Sequence, residues 1–121
     1  MTPLLLNAAR AFAMVSLADG KLAPAEAQRF AHMTSKDPVL GHSGHAEITD
    51  AWTQAAHEVH ASQSFGTALI AIRTEITDAA DKALIMRVAQ AAVVADGKLE
   101  AQENAAISAL AEALGLDPAA Y

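Results

Sequence analysis

Ala18-Asp19-Gly20-Lys21-Leu22 recurs 77 positions later as Ala95-Asp96-Gly97-Lys98-Leu99, and a glutamate follows each aspartate by seven residues, as Glu26 and Glu103. Around this block residues 10–33 align on 87–110 without a gap, and seven of the 24 pairs are identical. Phe30/Ile107 and Met33/Leu110 keep their apolar character. A contiguous identity of this length inside one short chain marks an internal duplication. Apolar residues at helical spacing run into each block and out of it, and Asp-Gly stops a helix because glycine tolerates the left-handed turn. Each copy therefore reads as a helix–loop–helix unit with an apolar face that it cannot bury alone. The two units, about 4–34 and 78–115, are expected to pack on each other with pseudo-two-fold symmetry.

The remaining elements follow outward from the repeat. Thr2-Pro3 starts a helix, a hydroxyl cap followed by proline at the first helical position; Leu5, Ala9, Phe12 and Leu17 carry its apolar spacing to Ala18. The second helix begins near Ala23-Pro24, with Glu26 in its first turn and Phe30 and Met33 on one face. Residues 35–44 (Ser-Lys-Asp-Pro-Val-Leu-Gly-His-Ser-Gly) read as a loop. A third helix covers about His45 to Ala61, with Ile48, Trp52, Ala55, Ala56 and Val59 inward and Trp52 as its core anchor. Ser62 is the candidate cap of a short fourth helix through Phe65, Leu69, Ile70 and Ile72, with Gly66 its weak point. Thr77-Asp78 caps a fifth, reaching Ala95 on a stripe of Leu84, Ile85, Val88 and Ala92. A sixth runs from about Ala101 to Leu114 on Ile107, Leu110 and Leu114, and Gly115-Leu116 ends it before a last turn at Asp117-Pro118.

Composition agrees with helices throughout. Alanine supplies 31 of the 121 residues, and it is the strongest helix former. Aromatic and β-branched residues are too sparse to favour a sheet. The length suits one domain, residues 1–121, able to bury a core without disulfides; the chain has no cysteine to form them. Net charge is −6, with six acidic residues in 1–60 and eight in 61–121. No basic stripe offers itself to phosphates, which argues against nucleic acid and against an anionic membrane surface. The N-terminus lacks the basic region of a signal peptide, and no apolar run reaches membrane-span length. The expectation is a cytoplasmic domain.

Ala-Asp-Gly-x-Leu followed by Glu, twice, each time between apolar helices, resembles the TerB-like family, which includes tellurite-resistance TerB and the N-terminal domain of DjlA-type membrane-anchored co-chaperones. The segment Val94-Ala95-Asp96-Gly97-Lys98-Leu99 through Ala113-Leu114-Gly115-Leu116-Asp117 is similar to the family's characteristic C-terminal half. The resemblance covers about residues 4–121. It implies an all-α fold of about six to seven helices, a metal site at the paired acidic loops, and a non-enzymatic accessory or interaction role in a tellurite or stress-response context. Ala23 and Glu100 depart from the Asp, Ser or Thr that members often carry as helix caps, and the 35–44 loop with its two histidines has no expected counterpart.

An aspartate at a helix C-terminus sits at the negative end of the helix dipole and needs a compensating partner. For Asp19 and Asp96 the candidates are the next helix's free N–H groups, the neighbouring Lys21 and Lys98, or a cation. One Asp and one Glu per loop fall far short of the six or more oxygens of an EF-hand. If the units meet, Asp19, Glu26, Asp96 and Glu103 converge, and their repulsion favours either protonation or a divalent cation, for which oxygen-only ligands suit Ca²⁺, Mg²⁺ or Mn²⁺ better than Zn²⁺. The purely structural alternative makes Asp-Gly a helix stop and the glutamates ordinary first-turn residues.

All five histidines (His32, His42, His45, His57 and His60) lie in the first half. His57 and His60 share a helix face, and with Glu47 or Asp50 they could hold zinc. The stretch His57-Glu58-Val59-His60 is one residue shorter than the His-Glu-x-x-His signature. Three functions therefore compete: a cation-binding interaction module, a metal-free helical scaffold that dimerises, and a metal-dependent hydrolase using His57 and His60. The first of these, without enzymatic activity and with an unidentified protein partner, is the one the resemblance favours, while the residues alone favour Asp-Gly as a plain helix stop.

Overall fold

The computed structural model describes residues 2–16, 25–62, 66–96 and 101–120. Among them it is all-helical: α1 (Pro3–Ser16), α2 (Ala25–Lys36), α3 (His45–Ser62), α4 (Gly66–Glu75), α5 (Ala79–Asp96) and α6 (Ala101–Ala113), with short 3-10 turns at Leu40–His42 and Pro118–Ala120. Local chemistry sets most of the ends. Thr2 Oγ1 accepts the Leu5 N–H at 3.2 Å, and Asp78 Oδ2 accepts the Ala80 and Asp81 N–H groups at 3.1 and 3.4 Å; both satisfy donors that a helix start leaves orphaned. Gly115 takes φ 74°. Its N–H donates to Glu112 O and that of Leu116 to Ala111 O, at 3.0 and 2.9 Å, the paired bonds of a Schellman stop.

α1 is the centre of the molecule. It packs most extensively against α3 and α5 and also meets α4, α6 and α2. Every residue from Asn7 to Val15 is buried. The apolar stripe expected from Leu5, Ala9 and Phe12 is thus part of a helix enclosed on all sides, which buries Asn7 and Arg10 along with its apolar residues. Ala8, Ala9, Ala11 and Ala13, each 0% exposed, let the neighbours approach closely. The Phe12 ring meets Phe30 and Trp52 edge-on at 5.4 and 5.9 Å between centroids, and Phe30 stacks on Trp52 at 5.5 Å. These aromatic pairs lock α1, α2 and α3 together, with Trp52 in the core as its position on the third helix implies.

The two units do pack on each other. Their first helices, α1 and α5, lie in contact, and the crossed pairs α1 with α6 and α2 with α5 also touch, the reciprocity that a pseudo-two-fold arrangement requires. Two segments differ from the sequence expectation. Residues 35–44 are not one loop: Ser35 and Lys36 finish α2, and Leu40–His42 forms a 3-10 turn. That turn is pinned by buried Leu40 and by the absence of a side chain at Gly41, where a Cβ would stand 3.0 Å from Ser35 O. The fourth helix starts at Gly66, while Ser62 closes α3 and Phe65 lies outside the described residues. Ala68 and Ile72 anchor it, one turn apart, which turns Ile70 outward at 67% exposure. Among the described residues no helix is long and apolar enough to cross a membrane.

Candidate functional site

Of the four carboxylates assigned to a shared cation site, only Glu26 has a described side chain. Asp19 lies outside the described residues. Asp96 is the last residue of α5 and Glu103 lies in the first turn of α6, and both side chains are likewise outside the described set. Lys21, Lys98, Ala23 and Glu100 also fall outside it. Glu26, in the first turn of α2, is buried, and its Oε1 accepts from Arg29 Nη1 at 3.0 Å. Ser16 Oγ, at the end of α1 and three residues before Asp19, is buried with no hydrogen-bond partner among the described residues. Among the described residues the Glu26 carboxylate is thus engaged by Arg29.

The structure adds two charged joints. Arg10, in the middle of α1, is 7% exposed. Its Nε donates to Glu58 Oε2 at 2.9 Å and its Nη1 to Glu75 Oε2 at 2.8 Å and Asn7 Oδ1 at 2.9 Å. Asn7 Nδ2 completes the ring by donating to Glu75 Oε2 and to Pro3 O, both at 2.8 Å, and Gln54 Nε2 reaches Glu58 Oε1 at 3.2 Å. The cluster ties α1 to α3 and to the end of α4. A guanidinium buried this deeply needs such partners, because an unpaired buried charge is costly.

The second joint is centred on Asp37, one residue beyond α2. Oδ1 accepts the N–H groups of Val39 and Leu40 at 2.9 and 3.1 Å, capping the 3-10 turn. Oδ2 accepts from Arg87 Nη2 and Nε of α5 at 2.8 and 3.2 Å. The carboxylate side chain is 5% exposed and the arginine side chain 53%.

These contacts set the charges. Burial alone would lower the affinity of Arg10 for its proton, but the hydrogen bonds and charges of Glu58 and Glu75 raise it above the ordinary arginine value. For Glu58 the Arg10 hydrogen bond dominates over burial and holds the carboxyl below its usual range, helped by Gln54. Burial pushes the Asp37 carboxyl up, but the Arg87 hydrogen bond and the Val39 and Leu40 N–H groups together outweigh it and leave it depressed.

Arg10 and Arg87 are the seventh identical pair of the 77-residue alignment. The repeat therefore carries a signal for both joints, outside the Asp-Gly block. Their partners left no such trace: Glu58 and Glu75 are 48 and 65 positions from Arg10, and Asp37 is 50 from Arg87.

The five histidines are all exposed. The hydrolase alternative needs His57 and His60 to meet carboxylates in a cleft. Instead Glu58, between them in sequence, turns inward to Arg10, and Glu47 and Asp50 are exposed. Among the described residues no three or more His, Asp or Glu side chains gather as a metal-binding group.

Compared with known families, the chain is matched over residues 5–121 by the family model for tellurite resistance protein TerB. No curated protein and no solved structure matches it.

Proposed function

The chain belongs to the TerB family, and we propose that it is a non-enzymatic interaction domain that takes up a divalent cation at its paired acidic turns and presents helix surfaces to a protein partner. The observation that carries this reading is the duplication: the same Asp, Gly, Lys and Glu stand at the same places in two units whose first helices pack together. Oxygen-only donors point to Ca²⁺, Mg²⁺ or Mn²⁺. The ligands are Asp19, Glu26, Asp96 and Glu103. The cellular context follows the description of the family, tellurite resistance or a related stress response, in the cytoplasm.

The test is thermal unfolding of the full chain, first in chelator and then with each of Ca²⁺, Mg²⁺, Mn²⁺ and Zn²⁺. A ligand that binds only the folded state at about 100 times its Kd adds about 2.7 kcal/mol of stability, a readily measured rise in Tm. The rise is expected with at least one hard cation and is lost in Asp19→Ala with Asp96→Ala. No rise with any ion, or an equal rise in the double variant, refutes the cation site.

One observation favours a second reading, a metal-free scaffold that dimerises. The core is already cross-linked by the chain's own charges, at Arg10 and at Arg87. It predicts indifference to chelator and a Tm that rises with protein concentration.

A further inference from the structure

α2 contributes least to the core for its length. Three of its 12 residues are buried, Glu26, Phe30 and Thr34, and of these Phe30 alone is apolar. It packs on α3 and α5, the two helices that α1 meets most, and touches α1 less. It therefore lies across α3 and α5 as a cover over α1. Phe30 is its plug, set against the rings of Phe12 and Trp52. The buried Thr34 hydroxyl donates within the helix, to Phe30 O at 2.7 Å. The far end is tied to α5 through Asp37 and Arg87. The 3-10 turn belongs to the same piece: Gly41 N–H donates to Asp37 O at 2.8 Å, and Asp37 Oδ1 accepts from Val39 and Leu40. That piece ends at Ser43-Gly44, before α3, where Gly44 is exposed and nothing stands within 4 Å of the place of its missing Cβ.

We infer that α2 and its 3-10 turn, residues 25–42, form a lid that opens as one piece about Ser43-Gly44 while the other helices stay packed, with the Asp37–Arg87 ion pair as its latch. A segment with few buried apolar side chains opens at a lower free energy than the whole molecule, and hinges are a few loop residues at an element's end. The latch releases readily, because the Arg87 side chain is already 53% exposed and water takes over its charge. Opening withdraws Phe30 and uncovers the Phe12 and Trp52 rings.

The experiment is native-state hydrogen exchange of the full chain, read peptide by peptide by mass spectrometry, for wild type, Arg87→Met and Ile72→Val. All samples carry chelator, so the result is independent of the cation reading. Protection at α1 checks that each variant is folded. Ile72 is fully buried in α4, away from the helices on which α2 packs. In wild type the α2 amides are expected to exchange faster than the slowest amides of α1 and α5. Arg87→Met keeps the aliphatic stem, removes the charge, and is expected to speed α2 exchange about fivefold. Ile72→Val is expected to speed the slowest α1 and α5 amides about fivefold, through global unfolding, and to leave α2 unchanged. Equal acceleration of α2 and α1 in Ile72→Val means that α2 opens only with the whole molecule, and overturns the lid. Unchanged α2 exchange in Arg87→Met overturns the latch.

Discussion

α1 and α5 occupy the same place in the two units, yet the fold treats them differently. α1 is enclosed on every side and its Arg10 is held by two carboxylates and an asparagine. α5 keeps Ala83, Arg87 and Gln90 exposed, and among the described residues Arg87 has one carboxylate partner. Where α1 places Phe12 at the centre of an aromatic cluster, the same position of α5 is Ala89, fully buried without a ring. The units also end differently. α6 closes with the Schellman turn at Gly115, whereas α2 gives way at the corresponding point to Asp37-Pro38 and the side-chain cap that Asp37 supplies. Two copies of one sequence pattern have been specialised, one as the axis of the core and one as its wall.

The largest expected break in this comparison is Phe12→Ala. It empties the aromatic cluster and is expected to cost about 3–5 kcal/mol, read from urea unfolding followed by Trp52 emission. A cost near 1 kcal/mol would mean that α1 is no more central than α5. Next comes the pair of arginines. Arg10→Met leaves two half-exposed carboxylates and a buried asparagine without their cation, and is expected to cost about 2–3 kcal/mol, below the full buried-pair figure because Glu58 and Glu75 can turn to water. Arg87→Met is expected to cost about 1 kcal/mol, since the arginine is largely solvated. Equal losses would erase the distinction between the two helices.

The unit ends are separated by Gly115→Ala, which forces a side chain into a left-handed turn and is expected to cost about 1 kcal/mol in the same assay. The finest distinction is in acid. Glu58 and Asp37 have folded pKa values below their unfolded ones. Their contribution to stability is therefore complete above the unfolded carboxylate range, near pH 4, and is lost as pH falls through the lower folded values. Unfolding measured from pH 7 down to pH 2 should show a shallower decline in Arg10→Met, where the Arg10 share of the Glu58 shift has gone and the Gln54 share remains. Arg87→Met should lose part of the Asp37 share and keep the part owed to the Val39 and Leu40 N–H groups. Unchanged profiles in both variants would show that neither bridge contributes to acid sensitivity.

Much of the helical layout could be read directly from the residues. Thr2-Pro3, Thr77-Asp78 and Gly115-Leu116 mark helix ends that the structure reproduces, and Ile48, Trp52, Val59, Leu84, Ile85, Val88, Ile107, Leu110 and Leu114 are all buried as their spacing indicates. Residues 35–44 and the start of the fourth helix depart from that reading: the turn at Leu40 forms because its side chain enters the core and Asp37, itself held by Arg87 50 positions away, caps it, and the fourth helix starts at Gly66 with Ala68 and Ile72 inward. Of the candidate site, the repeat supplies four carboxylates as an expectation, and Glu26 is the one whose surroundings the structure describes.

By itself the sequence determined that this chain is helical and where the caps at Thr2 and Asp78, the stop at Gly115 and the apolar faces fall, because those features depend on residues no more than a few positions apart. Only the tertiary structure decided which hairpin supplies the central helix, and which of two identical arginines is enclosed. Those outcomes depend on contacts 48 to 65 positions apart, where burial and charge pairing act together and no local pattern records the partner.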